Sequence, residues 1–179
     1  MLDGSGRPFF ALIIAIDTYK DKNISGCVAD ADDIQAFLTK DLHISPDRIV
    51  NLRNKKATYA SIIQEIRKFA ADDRVAFNSP ILIYFAGCCG EVQGSSVLFP
   101  YDSSAIGNSK FGNVLSETKL NGHLKQLANL KGNNIVRWSI MCFFFSPNII
   151  FLRLRSLTYV MLAFVERAMY MRPRTPMFC

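Results

Sequence analysis

ILIYFAGCCG, residues 81–90, is the stretch on which the fold turns. It opens after Pro80 with apolar residues that do not alternate with polar ones, the mark of a strand buried on both faces. The strand is expected to end at Gly87. Upstream, FFALIIAI at 9–16 is a second run of the same kind, followed by Asp17 and Tyr19, and RIVNL at 48–52 is a shorter one. Ile135 starts a fourth apolar run. Helical periodicity fills the gaps. Val28, Ala31, Ile34, Phe37 and Leu38 recur at three- and four-residue intervals and predict a helix over 27–42, with Asp30, Asp32 and Asp33 at its dipole-favoured start. Thr58 reads as the N-cap of a helix carrying Ile62, Ile63, Ile66 and Phe69 on one face. Residues 117–130 carry Leu120, Leu124, Leu127 and Leu130 on one side, and Gly132 and Asn133 end that helix.

Strands alternating with helices predict an α/β domain with a mostly parallel sheet. In such sheets chemistry sits beyond the carboxyl ends of the strands. Three segments therefore matter: 17–20, 87–90 and the neighbourhood of Cys142. No GxGxxG or GxxxxGK[ST] follows any of these strands, which removes a nucleotide-binding reading.

The net charge of +6 points away from nucleic acid once it is located. Six of the 21 bases and one of the 15 acids lie in 137–179, so the remaining 15 bases and 14 acids nearly cancel on the body. The apolar run 140–152 is interrupted by Pro147 and stopped by Arg153, too short to span a bilayer as a helix. The first residues, MLDGSGRPFF, lack the pattern of a secretory leader. Five scattered cysteines with no paired CxxC motifs fit reduced thiols in the cytosol or nucleus.

At this point a family resemblance enters. ALIIAIDTYKDKNISGCVADADDIQAFL (11–38), ATYASIIQEI (57–66), ILIYFAG with its following glycine, FPYD (99–102) and LKGNNI (130–135) occur in the order and spacing of a metacaspase-type caspase domain (peptidase C14). The resemblance covers about 9–136. It implies an αβα sandwich and a cysteine endopeptidase that acts on peptide or protein substrates. A thiol would attack the carbonyl, and a histidine would take the thiol proton and return one to the leaving amine. It also implies cleavage after Arg or Lys, a response to calcium in many members, and a caspase-like homologue as a conceivable partner.

The positions that should carry this chemistry are altered. The family's strand ends Ala-Gly-His-Gly; here Cys88 stands in the histidine position, followed by Cys89. Counting on from Gly132 puts Cys142 at the nucleophile position, 142 less 88 being 54 residues, close to the family's spacing. Its surroundings are changed, however: Ile140 replaces an aspartate, Phe143 and Phe144 replace His-Ser, and no glycine follows. GCVADA at 26–31 retains Cys27 and Asp30, where the resemblance places the pocket for the basic substrate side chain. His43 and His123 are the only imidazoles, and both are expected on the surface. Asp102 is expected to shape a loop. Asp72 and Asp73 offer carboxylates for calcium, although their spacing fits no known loop; no other cofactor or metal is expected.

Residues 137–179 contain no Gly, Asp or Lys. This change of character divides the chain into a C-terminally incomplete caspase-like domain, 1–136, and a divergent apolar and basic tail, 137–179. A retained intron or a frameshift would produce such a tail. Residues 135–145 can still supply the fourth strand, and 157–171 could form a covering helix.

Overall fold

The computed structural model describes residues 7–20, 23–104 and 112–143, with 138–143 as backbone only. The expected helix over 157–171 lies outside the described residues. The described sheet has six strands: β1 Phe10–Ala15, β2 Ile49–Arg53, β3 Ile81–Val92, β4 Ser95–Leu98, β5 Leu115–Ser116 and β6 Ile135–Phe143. Its order is β2-β1-β3-β4-β5, with β6 also paired to β3. Strands β2, β1, β3 and β6 run parallel, and β4 and β5 are antiparallel additions. Helices α1 (Cys27–Ala36), α2 (Tyr59–Ala71) and α3 (Glu117–Lys131) connect them.

Why β1 reads as continuously apolar is now visible. Phe10, Leu12, Ile14 and Ile16 pack with Ile62, Ile66 and Phe69 of α2 and Leu120 and Leu127 of α3. Phe9, Ala11, Ile13 and Ala15 pack with Cys27, Ala31 and Ile34 of α1 on the other face. Each buried isoleucine or leucine contributes roughly 1.5–3 kcal/mol over leaving it exposed. The αβα layering follows from this two-sided burial.

Local signals set most helix ends. Thr58 Oγ1 accepts from Ser61 N at 3.1 Å, and Ser116 Oγ accepts from Lys119 N at 3.3 Å. Gly132, at φ +87°, closes α3 with its N–H on the Ala128 carbonyl. The first helix departs from expectation. Its α-helical part stops at Ala36, and Phe37–Asp41 form a wider π turn that ends as Leu42 N–H bonds the Phe37 carbonyl at 3.1 Å. The wider turn still buries Leu38 and Leu42 against the sheet.

The third strand does not end at Gly87. It continues to Val92, turns through Gln93 (φ 50°) and Gly94 (φ 74°), and returns as β4 with Val92 opposite Ser95. Two consecutive left-handed residues are the mark of a tight hairpin turn. The returning strand is short, Ser95–Leu98. The fourth strand forms where expected and pairs with β3 from Ile135 opposite Ile81 to Phe143 opposite Cys89. Among the described residues no helix is long and apolar enough to cross a membrane.

Candidate active site

The carboxyl ends of β1, β2 and β3 meet in one region held by side chains of the segments that follow them. Asp17, just past β1, accepts from the N–H groups of Cys27 (2.8 Å) and Val28 (3.3 Å) at the start of α1. This carboxylate does the capping that Gly26, which has no side chain, cannot. Asn54, beyond β2, holds the Asp17 and Thr18 N–H groups on its Oδ1 at 2.8 and 3.0 Å. The turn after β1 is thus tied to both neighbours.

Tyr19 crosses to β3. The parallel ladder between β1 and β3 runs as far as Ile16 N–H to the Ala86 carbonyl, at 3.0 Å. The next rung would take Cys88 N–H to a β1 carbonyl; instead Tyr19 Oη accepts it at 2.8 Å. Burial, then the neighbouring Cys88 thiol, holds the Tyr19 phenol well above its ordinary range, and Cys27 acts in the same direction. Gly87 has no room for a side chain, because a Cβ there would lie 2.7 Å from Tyr19 Oη. Cys88 itself is 0% exposed, and Cys27, Cys88 and Cys89 are in no disulfide.

Cys27 is buried at the head of α1 and Asp30 is half-buried in its first turn. Beneath them Tyr84 of β3 is fully buried, with a hydroxyl that has no hydrogen-bond partner. Burial, then the Asp30 carboxylate, raises its phenol above the usual value. The sheet register places Ile140 opposite Ala86 and Cys142 opposite Cys88. The fold thus gathers Cys27, Asp30 and Cys88 at one end of the sheet and sets the Cys142 backbone beside Cys88. Sequence reasoning marked the segment after β1 but not the role of Tyr19, nor the proximity of Tyr84 to Asp30. An aromatic two residues past a buried strand is the signal that was present for Tyr19.

The two imidazoles sit elsewhere. His43 is exposed in the turn before β2, at the amino end of the sheet. His123 lies at the surface, as expected, though not fully exposed. It is half-buried on α3, lines a 520 Å³ groove with Tyr59, Ile63 and Arg67 of α2, and its Nδ1 is buried without a hydrogen-bond partner. Asp102 shapes structure from a distance: Oδ1 accepts from Tyr59 N–H at 2.8 Å and Oδ2 from Asn113 Nδ2 at 3.1 Å.

For calcium, the donor set does not fit. Asp72 is held by Arg74 at 2.8 Å, and among the described residues no three His, Cys, Asp or Glu side chains gather as a metal site. No step is assigned to a metal.

The mostly parallel sheet covered by helices, with the altered positions gathered at one end of it, is the architecture of a caspase-like domain. The caspase-domain model of the peptidase C14 family matches residues 9–131, and the chain belongs to that family. A solved structure of a Geobacter sulfurreducens protein is similar at 20% identity and a TM-score of 0.58, over 75% of this chain and 50% of that one. This chain therefore spans half the length of that relative, and the likeness supports the fold. No curated protein matches.

Proposed function

We propose that this chain is a cysteine-endopeptidase domain of metacaspase type by descent, with peptide hydrolysis lost. The observation that carries the reading is the thiol of Cys88, buried in β3, in the position of the family's histidine. An imidazole titrates near 6.5 and supplies both base and acid at neutral pH; a thiol titrates near 8.5, and its base form is itself a nucleophile that an acyl group would trap. Tyr19 does not replace the base, because its phenol is held neutral. Around Cys142, Ile140 and Phe143 replace the family's polar residues, so oxyanion stabilisation and activation are both compromised. Cys27 and Asp30 keep part of a pocket for Arg or Lys, weakened where Ile140 replaces the second acid. In this reading 1–136 is the caspase-like unit, 137–179 is a divergent tail, and the molecule works in the reducing cytosol or nucleus.

A second reading is favoured by the described sheet itself, in which β6 pairs only with β3. Its other edge offers backbone groups to an extended peptide or to a caspase-like homologue, which would make the chain a non-catalytic binding module.

The deciding assay uses fluorogenic peptides with Arg or Lys before the scissile bond, with and without calcium. The expected result is no turnover above buffer, and none after Cys88→His alone. Calcium-dependent turnover abolished by Cys142→Ala would refute the loss of activity. Sequencing the transcript across codon 136 tests the origin of the tail.

A further inference from the structure

Cys88 and Cys142 are in register on adjacent parallel strands. Neighbouring strands run about 4.8 Å apart, and residues in register share a face of the sheet. Disulfides bridge Cα separations of about 4.4–6.8 Å. The backbone placement therefore meets the first requirement of a cross-strand bond. Cys89 is a poorer partner for Cys88. Both lie within the extended run of β3, which sends successive residues to opposite faces, whereas joining adjacent cysteines needs a turn. Cys27 approaches from α1, packed in the core of the opposite face from the one that holds Cys88.

We propose that Cys88 and Cys142 form a reversible redox pair, oxidised by a hydroperoxide to a disulfide that staples β3 to β6. In the first step the peroxide oxidises one thiol to a sulfenic acid and is itself reduced, releasing water or an alcohol. In the second, the other thiol attacks the sulfenic sulfur, one water leaves with the sulfenic oxygen and the thiol proton, and the S–S bond forms. Two electrons pass from the dithiol to the peroxide, and an external dithiol reverses the change. The two positions of the family's catalytic pair then serve as a sensor. This inference rests on the register alone and holds whether or not the chain cleaves peptides.

The test takes the reduced full-length chain through graded hydrogen peroxide, alkylation, proteolysis and mass spectrometry without reduction. The expected product is a Cys88–Cys142 cross-linked peptide that grows with dose, disappears on treatment with dithiothreitol, persists in Cys89→Ser and is lost in Cys142→Ser. Circular dichroism of each variant checks that it is folded. Linkage of Cys88 to Cys89, to Cys27 or to Cys179 as the main product would overturn the proposal. So would sulfinic acid at Cys142 with Cys88 unmodified, or no reaction at either thiol. Equal yield of the Cys88–Cys142 product in concentrated urea would also overturn it, since the fold would then not be directing the pair.

Discussion

Tyr19 Oη accepts a hydrogen bond from the backbone N–H of Cys88 at 2.8 Å, extending by one rung a ladder that β1 no longer supplies. Both residues are buried, so Tyr19→Phe leaves a donor without its acceptor and without water. The expected cost is about 1–3 kcal/mol, read as a lower urea midpoint with an unchanged slope. Gly87→Ala tests the same contact from the other side, since its Cβ would meet Tyr19 Oη at 2.7 Å and Phe85 Cζ at 3.0 Å. Overpacking of this kind costs roughly 1–3 kcal/mol. In the Tyr19→Phe background the alanine should cost less, because the oxygen it strikes has gone. Strict additivity of the two changes would show that the phenol does not sit against Gly87.

Asp102 lies far along the chain from α2 yet binds its first N–H, that of Tyr59. Asp102→Ala removes this cap and the tie to Asn113, with an expected loss of about 0.5–2 kcal/mol. Asp102→Asn keeps an oxygen acceptor and should lose less. Equal losses for the two variants would mean that the charge on the helix end, rather than the hydrogen bond, is what matters; thermal denaturation of both proteins separates these.

The sheet and its helices were legible because burial on two faces writes itself into the sequence as uninterrupted apolar runs. Thr58 and Gly132 were legible because their work is local. Tyr19, Asn54 and Asp102 were not, since each acts on a backbone group brought near only by the folded chain. The hairpin after Cys89 was missed for a different reason. Gln93 adopts a left-handed conformation at φ 50° that its residue type does not announce. At the site, counting residues set Cys142 54 residues beyond Cys88, and the β3–β6 register sets the two positions side by side. The buried Tyr84 hydroxyl beside Asp30 left no trace in spacing, because β3 reads as apolar at every neighbouring position.

Arg74 ties the end of α2 to the turn before β2, pairing with Asp72 at 2.8 Å and Asp47 at 3.2 Å. The hydrogen bond from Arg74 holds the Asp72 carboxyl below its ordinary value, and the Ser45 hydroxyl, aided by Arg48 and Arg74, does the same for Asp47. A depressed folded-state pKa adds stability that is present above the unfolded value, near 3.9, and is lost as pH falls through the folded one. Arg74→Ala should therefore lower stability at neutral and alkaline pH, flatten the acid side of the stability curve, and change little at the acid extreme, where the carboxyls are protonated in both states. Urea midpoints between about pH 2 and pH 7 check this. An acid limb as steep as that of the parent would mean that these exposed pairs are fully screened.

At the alkaline end the sign reverses. Burial is the main cause that holds the phenols of Tyr19 and Tyr84 above their ordinary range, helped by the Cys88 thiol for one and by Asp30 for the other. A raised folded-state pKa gives stability that is complete below the unfolded value, near 10, and declines as pH rises toward the folded one, because only the unfolded chain can release those protons. Ultraviolet titration should accordingly show these two phenols ionising together with the loss of near-ultraviolet circular dichroism. Tyr84→Phe is the sharper variant, since its hydroxyl has no hydrogen-bond partner to lose. It should keep or raise stability at neutral pH and move alkaline unfolding upward. Tyr19→Phe should lower stability at neutral pH while also weakening the dependence above pH 10. If Tyr84 instead ionised at its ordinary value in the folded protein, its hydroxyl would have to reach water, and its full burial beneath Asp30 would be wrong.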